Sequence, residues 1–371
     1  MAAAIGIGRF IYTPILPSMI EELGLSRGEA GLIAGANFAG YLAGALAAAS
    51  PHLPLKTRDW MMWSLLVSAI TTAPMGLVTG LGWFLLLRFI GGAASAVVLV
   101  LASTLVLERL SAIGQSHLAD WHFAGVGIGI TISALSIESM HGLHLHWRAM
   151  WLVGGVISLA AVLAVAVLVP EPTEPQATSK RLSLTRSPRL IPLIIAYGLF
   201  GFGYVITATF IVAIVRGSPE ARAYEYLVWL IVGMSAIPSV SIWSGLAQRF
   251  GVLRAFALAC SVEAIGVIAS VVWVNMVGLV IGALFLGGTF MGITALGLMA
   301  ARMLARDNAR RALAEMTAAF GFGQVVGPVL AGYGFDMTGS FFLPSAVAAG
   351  GLVIAASLAL RIDRATAARP G

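Results

Sequence analysis

Two arginines stand where an apolar chain should have none. Arg9 falls inside the first apolar run, Ala2 to Ile20, and Arg88 inside a run over roughly 82–107. With a 1.5 Å rise per residue, Arg9 lies about 12 Å along a helix starting at Met1, too deep for its head group to reach water easily. A guanidinium in hydrocarbon costs roughly 2.5 to 3.5 kcal/mol, so Arg9 is expected to face an internal cavity and meet an acidic side chain or an anionic ligand. Tyr12 follows within one turn, and Pro14 and Pro17 break the helix beside it. Arg88, nearer a span end, could instead reach outward or brace its neighbours.

Other polar residues share helical faces with spacing that could line a cavity or bond helix to helix: Asn37 with Tyr41, four apart, and Tyr204 with Thr207, three apart, with Gln324 alone in a later span. Glu108, Asp120 and His122 cluster about one short connection. A histidine titrates near neutral pH, so these three are candidates for proton coupling; the plainer reading is a backbone-bonded histidine and a Glu108 paired with Arg109. Glu263, in the middle of a span, is open to either a structural or a functional reading. His141, His144 and His146 have metal-like spacing, but Glu138 is the one obvious partner nearby, so no metal is expected. Gly6-Ile7-Gly8 lacks the strand and third glycine of a dinucleotide site, and neither lysine, Lys56 or Lys180, follows a phosphate-binding glycine loop. No cofactor, no ATP hydrolysis and no enzyme is expected, since no nucleophile, base or metal set recurs at one depth.

These residues must be held by lipid-embedded helices. Of 371 residues, 59% are hydrophobic and 10% charged, against roughly 25% charged in soluble domains. Only internally bonded helices suit such a chain. The first run lacks a basic leader and runs into further spans, so it reads as a retained helix. The single cysteine, Cys260, excludes an intrachain disulfide. Hydropathic stretches fall at about 1–20, 30–50, 60–80, 82–107, 119–138, 148–169, 189–214, 223–244, 252–272, 274–300, 311–332 and 340–360, giving an all-α membrane protein of twelve transmembrane helices. Sixteen of 22 basic residues then fall on one side, among them Lys56, Arg58, Arg109, Lys180, Arg249, Arg254, Arg306 and Arg361. The positive-inside rule places both termini in the cytoplasm of a plasma (inner) membrane protein. That asymmetry accounts for the net charge of +6 without a nucleic-acid partner.

The longest polar interruption, 170–188, separates an amino-terminal half, 1–169, from a carboxy-terminal half, 189–371. A shift near 196 residues superposes Gly91-Gly92 on Gly287-Gly288, and a shift of 195 superposes Gly6-Ile7-Gly8-Arg9 on Gly201-Phe202-Gly203-Tyr204. Glycine runs such as Gly125, Gly127, Gly129 and Gly321, Gly323, Gly327 then read as sites of close helix contact.

Several segments resemble the major facilitator superfamily, specifically its YbfB/YjiJ branch, across essentially the whole chain. Gly6-Ile7-Gly8-Arg9-Phe10-Ile11-Tyr12-Thr13-Pro14-Ile15-Leu16-Pro17 looks like that branch's first helix, and His122-Phe123-Ala124-Gly125-Val126-Gly127-Ile128-Gly129 like its fifth. Gly245, Gln248, Arg249, Gly251 and Arg254 resemble the superfamily's loop motif between helices eight and nine, with Gln248 where aspartate is usual; the first-half loop, Ser50 to Trp60, has lost most of it. Arg88 followed by Gly92 resembles the fourth-helix motif associated with proton coupling. Helix one begins almost at Met1, so the resemblance implies a few residues upstream. It also implies two six-helix halves and alternating access by a secondary transporter acting as a monomer. An anionic or zwitterionic small molecule is the expected cargo, because Arg9 and Arg88 outnumber the mid-membrane acid Glu263. The alternatives are efflux of drug-like amphipaths, or a transporter-like sensor without flux.

Overall fold

Hydrocarbon offers no partner to a backbone N–H or C=O, so each crossing segment must bond its own. The computed structural model describes residues 1–49, 56–115, 118–169, 188–305 and 309–367, and those residues contain helices and no strand. In chain order the α-helices are α1 (Tyr12–Leu23), α2 (Arg27–Ala48), α3 (Thr57–Thr72), α4 (Leu81–Ala112), α5 (Ala119–Gly142), α6 (Trp147–Leu168), α7 (Leu190–Arg216), α8 (Glu225–Ala236), α9 (Ser239–Phe250), α10 (Val252–Val272), α11 (Met276–Leu304), α12 (Ala309–Thr338) and α13 (Phe342–Ala367). A π-helical segment, Ala2–Ile7, precedes α1 and forms with it a first span of 22 residues.

Among the described residues, ten helices are long and apolar enough to cross a membrane, and α8 with α9, bent by 46°, makes an eleventh. The bend falls at Pro238, which cannot donate to the turn before it. Helix α3 has 16 residues, but the 3-10 turn Ala73–Gly76 prolongs it. Together they rise about 32 Å, matching a hydrocarbon core of about 30 Å. All twelve expected spans are therefore present as helical segments, the third with less α-helix than its hydropathy implies. The expected linker lies outside the described residues apart from Pro188, as do Lys180, Arg181, Arg186, Arg306 and Arg369.

In the first half α4 packs on α2 and α3, and α3 on α6; in the second, α11 packs on α8 and α10, and α13 on α7 and α10. Between the halves α2 meets α12, α5 meets α8 and α1 meets α7. Close backbone approach requires glycine at these seams. A Cβ at Gly92 would strike Asn37 O, and one at Gly31 would strike Pro328 O across the halves. Lipid tails are as apolar as leucine, so helix association rests on such dispersion contacts. Large side chains including Trp121, Val167, Leu168 and Met337 remain exposed, as on a surface that lipid covers.

Candidate functional site

The break in the first span creates the site. Pro14 has no N–H for Phe10 O, and Thr13 N turns to that carbonyl instead, at 3.3 Å. The carbonyl of Arg9, four residues before Thr13, is thereby released. Arg88 of α4 takes it up: Nη2 donates to Arg9 O at 2.9 Å and Nη1 to Gly8 O at 3.0 Å. Asn37 Nδ2 fixes the other side of the joint by donating to Arg88 O at 2.9 Å. Arg88 therefore clamps the broken helix, and only its Nε is left buried without a partner. Its guanidinium also lies 5.2 Å from the ring centre of Tyr12, whose hydroxyl donates to Ala30 O at 2.9 Å.

Arg9 is held differently. Its guanidinium carbon lies 4.3 Å from the ring centre of Tyr41, 4.5 Å from Phe38 and 5.3 Å from Phe10. Three rings give a desolvated cation some quadrupolar attraction, on the order of 2 kcal/mol for a good pair. The Tyr41 hydroxyl accepts a hydrogen bond from this guanidinium, but Nε and Nη2 are buried and unpartnered, and among the described residues Arg9 forms no ion pair.

Across the interface stand α7 and α12. Gln324 Nε2 donates to the Tyr204 hydroxyl, and Tyr204 lies within electrostatic reach of both Arg9 and Tyr41. Its ring stacks on Phe290 and Phe320 at 7° and 4°. Asn37 Oδ1, Thr207 Oγ1 and Gln324 Oε1 are, like the Arg9 donors, buried and unpartnered. Buried polar atoms are seldom left unbonded, and several together mark a place where a polar ligand or water belongs. A cavity of ≈ 10 Å³ is lined by Arg9, Phe10, Tyr12, Thr13, Phe38 and Arg88. It holds about one water, so the site is closed down.

One end of the bundle, where basic residues are few, is tied shut. Arg216 of α7 donates to Glu225 of α8 at 2.6 Å, to Ser18 of α1 at 2.9 Å and to Glu21 of α1 at 3.3 Å. Asp336 of α12 accepts from the N–H groups of Arg27 and Gly28 at 3.0 and 2.8 Å, capping α2 across the halves. A cavity of ≈ 250 Å³ lined by Pro14, Ser18, Glu138, His141, Arg216 and Trp229 lies at this end.

The profile of the family described as uncharacterised MFS-type transporter YbfB matches residues 1–360. The chain belongs to this family of major facilitator transporters. A relative, the uncharacterized MFS-type transporter YceJ of Bacillus subtilis (strain 168), is 24% identical over 271 residues, which is 67% of this chain. The chain spans about two thirds (65%) of that relative's length. Among solved structures, the nucleoside transporter NupG superposes with a TM-score of 0.71 at 17% identity, over 98% of this chain and 99% of NupG. A bacterial homologue of the human lysosomal transporter Spinster, inward-facing and occupied, superposes with a TM-score of 0.68 at 15% identity, over 100% of this chain and 97% of that one. Both are likenesses of fold.

The segment that resembles the superfamily's loop motif sits at the turn from α9 to α10. Gly251 takes φ +93°, which glycine alone adopts easily, and Gln248 and Arg249 are exposed. Arg254 pairs with Asp363 of α13 at 2.8 Å. The expected meeting of Glu108 with His122 does not occur. His122 Nε2 bonds Ser103 Oγ at 3.1 Å, and Glu108, five residues further along α4, is turned about 140° away and exposed. Asp120 is half-buried and forms no ion pair with His122. The sequence reading missed the rings of Phe10, Phe38, Phe290 and Phe320, which look like ordinary core, and the Arg216 cluster. A signal for the latter existed: Glu21 and Arg216 are 195 residues apart, the shift that relates the halves.

Proposed function

We propose that this chain is a secondary active transporter that carries a small anionic or zwitterionic metabolite by alternating access, coupled to protons. The observation that carries the reading is Arg9: a buried cation at the seam of the halves, ringed by aromatics and without an ion-pairing carboxylate among the described residues. A carboxylate or phosphate on the cargo supplies the missing partner, with Asn37, Thr207 and Gln324 offering further hydrogen bonds. Arg88 serves the site by holding the helix joint open. The excess of basic residues at one end supports a cytoplasmic placement of both termini. The tied end then faces outward, and the conformation is one closed to the outside.

The reading favours cargo transport over a sensor because the polar ties between α1 and α7 can break without disturbing either half's own packing. Proteoliposomes loaded with a pH-reporting dye and challenged with organic acids, amino acids, sugars and cationic drugs test it. Proton movement accompanying an acid or amino acid is the expected result. Movement driven only by cationic drugs overturns it in favour of amphipath efflux.

A further inference from the structure

Glu263 is a buried carboxyl that the central site does not use. It stands mid-way along α10 with no exposed surface, and the polar group set against its carboxyl is the Thr289 hydroxyl of α11, outside good hydrogen-bond geometry. Helix α10 packs against α7, α9, α11 and α13, and what those helices present decides what the carboxyl can be. From α11 the neighbour is Thr289, neutral, whose hydroxyl donates to Phe285 O at 2.6 Å. From α7 it is Tyr204, and on α10 itself Cys260, one turn earlier. The charged residues of α9, α10 and α13, namely Arg249, Arg254, Arg361, Asp363 and Arg364, lie near the end marked by the Arg254–Asp363 pair. Glu263 is nine residues beyond Arg254, about 14 Å of helix rise. On α11 Arg302 is about 20 Å of rise from Thr289, and on α7 Arg189 and Arg216 are about 22 and 18 Å from Tyr204. No cation on these helices compensates a charge at Glu263.

A carboxylate in such a place would lose its hydration and gain at most one contact, with a Thr289 hydroxyl whose proton is already given to Phe285 O, whereas the neutral acid is tolerable. A side chain kept only for packing there would be better apolar, since a poorly partnered buried polar group destabilises the fold. Its location gives it a use. Tyr204 lies within electrostatic reach of both Glu263 and Arg9, and is bonded to Gln324. We infer that Glu263 is a proton-binding site of the transport cycle, loading one proton from water in one arrangement of the halves and releasing it in the other. The step is a protonation alone: an O–H bond forms on the carboxylate, and nothing is oxidised or reduced. The inference rests on the coupled-transport reading and moves the proton from Glu108, Asp120 and His122 to the second half.

The test needs no known cargo. Spin labels at exposed Leu143→Cys and Met337→Cys, one in each half, report the tied end, and infrared difference spectra of wild type against Glu263→Gln report the carboxyl. The expected results are a protonated-carboxyl stretch at neutral pH that Glu263→Gln removes, and a label distance that responds to pH in wild type and in Glu263→Asp but is frozen in Glu263→Gln. An unchanged infrared band, or a Glu263→Gln protein whose distances follow pH as wild type does, overturns the assignment. A wild type indifferent to pH contradicts proton coupling itself, and the proposed site with it.

Discussion

Thr13 Oγ1 donates to Ala208 O at 2.8 Å, joining the first helix of one half to the first helix of the other. The two residues are 195 apart, the shift at which Gly6-Ile7-Gly8-Arg9 aligns with Gly201-Phe202-Gly203-Tyr204. Equivalent positions of a parallel repeat meet only where its axis passes, so this bond marks the axis, and Arg9 and Tyr204 stand one turn from it on opposite sides. Glu21 and Arg216, also 195 apart, meet further along the same line.

Removing Arg9 should separate stability from function. The side chain is buried without a full set of partners, so Arg9→Met is expected to leave the thermal midpoint equal to or above that of wild type while abolishing ligand binding. Thermal unfolding in detergent, followed by the fluorescence of buried tryptophans, measures the first half of this. A marked loss of stability would mean that Arg9 has a structural partner.

Arg88 should behave in the opposite way. Its loss leaves the carbonyls of Gly8 and Arg9 buried and unbonded, at about 1–3 kcal/mol each. Arg88→Ala is expected to lower stability by about 2–5 kcal/mol, and Arg88→Lys, which cannot span both carbonyls with a planar fork, by somewhat less. Equilibrium unfolding in a denaturing detergent reads this. A stable Arg88→Ala protein that fails only in transport would return Arg88 to the list of ligand-binding residues.

The seam between α2 and α4 has no room for a methyl group. A Cβ at Gly92 would collide with Asn37 O, so Gly92→Ala should push the helices apart, disturb the Asn37–Arg88 bond and cost about 1–3 kcal/mol. Gly82→Ala, where a Cβ would meet nothing within 4 Å, is the control and should be silent or mildly stabilising. Equal effects from the two would remove close packing as the reason for glycine.

The tie at the basic-poor end should set the resting conformation. Arg216→Met removes the bonds to Ser18, Glu21 and Glu225 together, and is expected to lengthen the distance between labels at Leu143→Cys and Met337→Cys by several ångström. Glu21→Gln, which spares the Glu225 contact, should lengthen it less. Unchanged distances in both variants would assign the cluster to stability alone.

Much of the architecture was legible because the bilayer is a strict solvent. Twelve apolar stretches became twelve helical segments, and the proline-broken first helix and the Gly92 seam lay in the sequence as residue types whose backbone consequences are fixed. The site was legible in part, for one reason: a polar residue in an apolar run must find a partner, so Arg9, Asn37, Tyr41, Tyr204 and Gln324 could be named. Which partner each finds depends on helix rotation, and hydropathy carries none of that. Arg88 thus went to backbone carbonyls, and His122 went to Ser103 rather than Glu108. The aromatic box around Arg9 was hidden because Phe10 and Phe38 are indistinguishable in sequence from lipid-facing phenylalanines.

Counterflow across proteoliposomes tests the central claim most directly, since exchange needs a binding site and a moving pathway but no ion gradient. Vesicles preloaded with single members of a panel of organic acids, amino acids, sugars and cationic drugs are given the labelled compound outside, with wild type beside Arg9→Met. The account predicts exchange of an anionic or zwitterionic compound that falls at least about tenfold in Arg9→Met, a loss of about 1.4 kcal/mol or more. Exchange that survives in Arg9→Met, or that is confined to cationic amphipaths, would contradict it.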